Sequence, residues 1–201
     1  MAVPSGAPQA FINMPYAPSY ERVYLAFIAG LAGYGLVPTA AVHDPSSRFQ
    51  LERIIDLIAA ADYSFHDLSY MSHDRIAPRT PRLNMPFELG IAVTAAKFRN
   101  HQHKWFVFDT HEHRVHKACS DLGGVNVRVH DKTAESVLKG LMNALSREGS
   151  KPTYRNLLDI YGAVAKLART IKREFDLFDT SPFADLSYVA VETAERLVAK
   201  S

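Results

Sequence analysis

Five short apolar runs alternate with helical-looking segments over residues 9–146, and this alternation constrains the fold more than any other feature. The runs fall at 9–13, 36–41, 63–69, 104–109 and 125–129. Between them lie segments with apolar residues three and four apart: Val23, Tyr24, Phe27, Ile28 and Leu31, then Leu51, Ile54, Ile55 and Ile58. A further segment over 133–146 has Val137, Leu138, Leu141 and Leu145 on one side. That spacing is helical. Strands separated by helices pair in parallel and are covered on both faces. The apolar character of the runs at 10–13, 63–67 and 104–108, lying between helices, places them inside the sheet. Pro38 lacks a ladder donor and places the second run at an edge.

After residues 149–152 the strands stop. Residues 154–175 and 186–199 read as helices separated by Asp179-Thr180-Ser181-Pro182. Leu157, Ile160, Tyr161, Val164 and Leu167 form a stripe too long to leave bare, so this tail is expected to pack on the domain or on a second copy. The organisation expected is an N-terminal arm over 1–8, an α/β domain over 9–148 and a helical extension over 149–201.

With 201 residues, 47% hydrophobic and 22% charged, the chain is an ordinary globular one with enough apolar mass for a core. A formal charge of +2 gives no field that points to nucleic acid or an anionic membrane. The single cysteine, Cys119, cannot form an internal disulfide, and the expected location is the cytoplasm. No apolar run approaches the roughly 20 residues of a membrane helix, and the first residues lack the charged and apolar regions of a signal peptide.

One segment stands out chemically. From Phe87 to Phe98 nearly every residue is apolar, which predicts a helix buried on all sides. Asn84 is the expected N-cap and Pro86 suits the first turn. Glu88 is the one acid on this helix. Near the helix start the peptide dipoles favour negative charge, so its carboxylate is expected to stay ionised and to be available as a nucleophile or electrostatic stabiliser. Acids are also common in first turns for the dipole alone.

Ligands of open α/β sheets bind beyond the carboxyl ends of the strands. Three segments converge there: Asn13-Met14-Pro15-Tyr16, Asp67-Leu68-Ser69 and the turn leading to Glu88. Asp67 at a strand end suits a sugar hydroxyl or a base edge, and equally suits capping the turn that follows it. The intervening stretch of residues 70–83 reads as a loop carrying Arg75, Arg79 and Arg82. A loop of that length in a compact domain is usually functional or mobile.

In this order, Asn13-Met14-Pro15-Tyr16, His66-Asp67-Leu68-Ser69 and Asn84-Met85-Pro86-Phe87-Glu88-Leu89-Gly90-Ile91-Ala92 resemble the nucleoside 2-deoxyribosyltransferase-like family. They also resemble the related Toll/interleukin-receptor-like (TIR-like) proteins of bacteria. The resemblance covers residues 9–146. It implies a flavodoxin-like, five-stranded, mainly parallel sheet with helices on both faces, here with a C-terminal helical extension. It further implies that Glu88 attacks or stabilises the anomeric carbon and that Asp67 contacts the substrate. Where the transferases carry an acid before the glutamate, this chain has Arg82, whose planar fork suits phosphate. A nucleotide, with NAD favoured, is therefore the expected substrate, and no separate cofactor is expected. Asn13, Pro15, Tyr16, Ser69, Asn84 and Met85 are the further expected substrate contacts, with Arg79 or Arg82 at the phosphates. The alternatives are a non-catalytic nucleotide-binding module and a true deoxyribosyltransferase. The resemblance also implies a homo-oligomer and a place beside a partner protein in a bacterial signalling or defence system.

His111-Glu112-His113-Arg114-Val115-His116 offers zinc-binding side chains, but its spacing matches no zinc helix motif and it is read as a solvated loop. Cys119 is expected to be a buried structural thiol. Gly123-Gly124 is read as a turn without the spacing of a phosphate loop.

Overall fold

A computed structural model of the chain describes residues 6–43, 49–71, 82–99, 102–148 and 151–199. Its centre is a five-stranded sheet: β1 (Gln9–Asn13), β2 (Val37–Ala40), β3 (Tyr63–Asp67), β4 (Lys104–Asp109) and β5 (Val127–Val129). The order across the sheet is β2-β1-β3-β4-β5 and every pairing is parallel. This is the flavodoxin-like arrangement, with a switch of direction between β1 and β3. The three runs expected inside the sheet are inside it, and Pro38 lies on the edge strand.

Among the described residues seven α-helices surround the sheet: α1 (Glu21–Gly33), α2 (Gln50–Ala60), α3 (Asn84–Phe98), the short α4 (Arg114–Ala118), α5 (Ala134–Ala144), α6 (Tyr154–Ile171) and α7 (Thr180–Val198). Strand alternation divides the core. Ala10, Ile12, Phe65 and Phe108 join α1, α5, α6 and α7 in the larger cluster. Phe11 joins α2 and α3 on the opposite side.

The helix enclosed on all sides is α1, where every residue from Val23 to Gly33 is buried. It lies on the sheet beneath α5, α6 and α7. Gly30 and Gly33 allow this closeness. A Cβ at either would stand 2.4 Å from a methyl of Leu141 or Leu157, respectively. The C-terminal helices thus cover α1 and share its core, through Leu157, Ile160, Val164, Leu186 and Ala190.

The wholly buried helix expected at 87–98 is not found. Only Met85, Leu89, Ala92 and Ala96 of α3 are buried, while Phe87 and Phe98 are 56% and 83% exposed. The reason is the layer count: α3 rests on the sheet beside α2, and among the described residues no second layer covers that side as α6 and α7 cover α1.

Smaller corrections concern helix ends. Pro18–Tyr20 form a 3₁₀ turn leading into α1. Asn84 is the first residue of α3 rather than its cap, and Leu83 before it makes no side-chain cap bond. Helix α7 begins at Thr180, six residues ahead of expectation, because Pro182 falls in its first turn, where a missing N–H is harmless. The His-rich segment is partly helical, since Arg114 pairs with the buried Asp109 and donates to the Leu68 carbonyl, which anchors α4. Cys119, expected to be buried, is half-buried.

Candidate functional site

The carboxyl ends of β1 and β2 and the start of α3 enclose a cavity of about 290 Å³. Strand β1 supplies Asn13 and continues as Met14, Pro15 and Tyr16. Helix α3 and its approach supply Arg82, Asn84, Met85 and Glu88. Tyr70, following β3, and Gln50, opening α2, complete the polar part of the wall. The site therefore sits at the switch point between β1 and β3, where an open α/β sheet splays its connections apart.

Asn13 ties the two main segments together. Its amide nitrogen donates to the Met85 carbonyl (3.0 Å) and to His66 Nδ1 (2.9 Å). A carbonyl can only accept, which settles which end of the amide is nitrogen. His66 must then carry its proton on Nε2, from which it donates to Ser64 Oγ (2.9 Å). Ser64 in turn donates to His103 Nε2 (2.9 Å), and His103 Nδ1 donates to the Ala61 carbonyl (2.9 Å). Every member of this relay is buried. Burial holds the His66 imidazole neutral, with its pKa lowered to about 3, and lowers that of His103. A buried network in which each donor meets an acceptor is rigid. It fixes Asn13 with both amide hydrogens committed, leaving its carbonyl oxygen as the group with capacity for a ligand.

Glu88 lies one turn into α3, half-buried, and forms no hydrogen bond or ion pair among the described residues. The expectation of a fully ionised carboxylate is corrected here. Burial raises its pKa from the ordinary 4.5 to about 7. The helix dipole fades within the first turn, and Glu88 is the fifth residue of α3, so desolvation outweighs it. Tyr16 is 36% exposed, yet its hydroxyl end is enclosed and donates to the Ile12 carbonyl (3.4 Å). Its pKa is raised by burial and then by the charge of Glu88, a direct electrostatic link between the two wall residues.

The wall is braced from behind by the segment joining α6 to α7. Phe178 lies 5.8 Å from the Tyr16 ring and 5.1 Å from that of Tyr24. The same segment is held to the chain after β2 by His43 N–H to the Phe178 carbonyl (3.0 Å) and by the Thr180 hydroxyl to the His43 carbonyl (3.0 Å). Nothing in the sequence pattern pointed to this support. On the open side, the Arg82 guanidinium stands 5.0 Å over the Tyr70 ring, within cation–π range.

Asp67 and Ser69 are not brought to this cavity. Asp67 is fully buried, and its Oδ1 accepts the Ser69 N–H (2.9 Å), the turn-capping role. Its Oδ2 stands 3.3 Å from His130 Nε2, out of line for a hydrogen bond. Because the Lys132 N–H donates to His130 Nδ1, the proton of a neutral His130 lies on Nε2, facing that oxygen. Ser69 donates instead to the Tyr20 hydroxyl (2.9 Å). Period-two alternation explains both placements: His66 points to the α2–α3 side and Asp67 to the α1 side. Arg79 and Arg75 lie outside the described residues. In the His-rich segment, His111 and His113 are not buried, and the His116 ring donates to the Val125 carbonyl (3.0 Å).

His66, Ser64, His103, Gln50 and Tyr70 are parts or supports of the site that the sequence pattern did not mark. The signal available was a polar residue at alternate positions of an otherwise apolar strand, Ser64 and His66, which marks a buried face needing hydrogen-bond partners. The sequence matches no protein-family model, and a search of curated proteins finds no match.

Proposed function

We propose that the cavity binds a nucleotide and that Glu88 serves cleavage of its N-glycosidic bond, with NAD the favoured substrate. The observation that carries this reading is the convergence of Glu88 with Asn13, Tyr16 and Arg82, from two distant segments, on one cavity at the switch point. The cavity is at the small end for ligand sites, which suits a nucleoside moiety with its phosphates leading out past Arg82. The Asn13 carbonyl oxygen is an acceptor for a ribose hydroxyl, and the Tyr16 and Tyr70 rings offer stacking surfaces.

In this reading an ionised Glu88 oxygen attacks the anomeric carbon as the bond to the nicotinamide nitrogen breaks. The leaving ring takes the bonding pair and departs neutral. Water then attacks the glycosyl ester, loses a proton and frees the carboxylate. If the intermediate is never covalent, the same carboxylate balances the oxocarbenium charge. A carboxyl with a pKa near 7 also favours a second reading, a binding module, because its neutral form stabilises no positive charge.

The experiment is incubation of the purified chain and Glu88→Gln with NAD and with nucleosides, followed by chromatography. The expected result is nicotinamide release by the parent and loss of turnover by the variant, with a melting temperature no lower than the parent's, because the neutral amide escapes the burial cost of the carboxylate. Binding without turnover by the parent selects the sensor reading, and base exchange selects the deoxyribosyltransferase. Equal turnover by the variant removes Glu88 from the chemistry.

A further inference from the structure

At the amino ends of the strands, opposite the candidate site, the end of α1, the turn into β2 and the C-terminal half of α7 enclose a second cavity of about 510 Å³. That volume lies within the range of small-molecule sites. The walls are apolar, with Ala32, Leu36, Val37, Val191, Ala194 and Val198. Part of the depth comes from a missing side chain. Gly35 adopts φ +73°, a conformation that strains most residues with a Cβ, and open space lies where that Cβ would stand. One lining residue is charged, Glu195.

The last turn of a helix favours a cation, because the peptide dipoles present their negative end there. Glu195 is an acid in the last turn of α7, and it forms no ion pair among the described residues. Arg196, the base of that turn, is not part of the wall and donates to the Thr193 hydroxyl (3.2 Å). The carboxyl end of α1 also reaches the cavity, at Ala32 and Gly33, and its last turn holds no basic residue. Two helix carboxyl ends and one unpaired carboxylate therefore make the rim electronegative above apolar walls. We propose that this cavity binds a small amphiphilic cation, an organic ammonium ion. Its hydrocarbon body lies against Leu36, Val191 and Ala194, and its head group pairs with Glu195. The site is independent of the glycosidic reading, since it shares no lining residue with the cavity around Glu88. It gives the C-terminal extension a role besides covering α1, because α7 supplies the carboxylate and much of the wall.

The test is isothermal titration calorimetry at low ionic strength with octylammonium, octanol and octanoate, which share a chain and differ in head-group charge. The parent is expected to bind octylammonium at one site about fivefold more tightly than octanol, with octanoate weakest, from the exposed ion pair and the helix ends together. Added salt should narrow that preference. Glu195→Gln should bring octylammonium close to octanol, and Glu195→Lys should place octanoate ahead of octylammonium. Both variants should melt no lower than the parent, since Glu195 is exposed. Ala194→Leu, which extends a side chain into the cavity, should weaken all three ligands alike. If none of the three binds the parent up to millimolar concentration, the proposal is overturned. Equal binding of all three overturns it as well, because the rim then exerts no charge selection. An octylammonium affinity that Glu195→Lys leaves unchanged overturns it too, because the ammonium is then held elsewhere.

Discussion

Glu88 titrates where its environment decides its chemistry. Its pKa of about 7 lies above the ordinary 4.5, so between those values the folded chain holds a proton that the unfolded chain has released. Folding stability from this group is therefore fully present below about 4.5 and is lost as pH rises through about 7. The slope is at most about 1.4 kcal/mol per pH unit. Denaturant titrations across this window should show the decline, and Glu88→Gln should flatten it. Catalysis by the carboxylate has the opposite sign. The kcat/KM for NAD cleavage should rise about tenfold per pH unit below neutrality and level off above it; a profile that falls with rising pH assigns Glu88 the role of general acid instead. His66 acts one step further back, as a positioning residue for Asn13. His66→Phe removes the acceptor for one Asn13 hydrogen and the donor to Ser64. A loss of about 1–3 kcal/mol in stability is expected from the stranded partners. Because Asn13 holds ligand and touches no reacting bond in this reading, KM should rise more than kcat falls. Steady-state kinetics and thermal melts on one preparation separate the two effects.

At the scale of elements, α1 and α3 are both rich in small and apolar residues, yet only α1 is enclosed. The difference is made by α6 and α7, which lie over α1 and leave α3 with one covered side. Helix α6 buries Leu157, Ile160, Val164 and Ala168, and its capping is regular: the Thr153 hydroxyl accepts the Asn156 N–H (3.1 Å). Leu157→Ala should therefore behave as a core truncation, costing about 2–5 kcal/mol, measured by urea unfolding. An appendage that merely rests on the domain would lose far less. The residue should also respond in one cooperative transition with the rest of the chain, since its neighbours include Gly33 of α1. The segment between α6 and α7 extends this coupling to the site, because Phe178 stands behind Tyr16.

For the whole molecule, the sequence alone determined the parallel sheet, its three inner strands, its proline-bearing edge and the gathering of Asn13, Tyr16, Arg82 and Glu88 at one end. Periodicity and chain order are sufficient for these, because connections between parallel strands are short and of fixed hand. Even the helical nature of residues 154–171 was legible from the spacing of its apolar residues. Tertiary structure decided everything that depends on which layer covers which. A helix apolar all round reads the same whether its outer face meets α6 and α7, as in α1, or no further layer among the described residues, as in α3. The same limit hid the relay through His66, Ser64 and His103, which joins residues 39 apart in the chain and exists only when β3 and the approach to β4 are adjacent. It also misplaced Asp67: position at a strand end is visible in the sequence, but the face that it occupies follows from register. The raised pKa of Glu88 belongs to the same class. Distance from a helix start is countable along the chain, whereas desolvation depends on walls contributed by β1, α2 and the residue after β3.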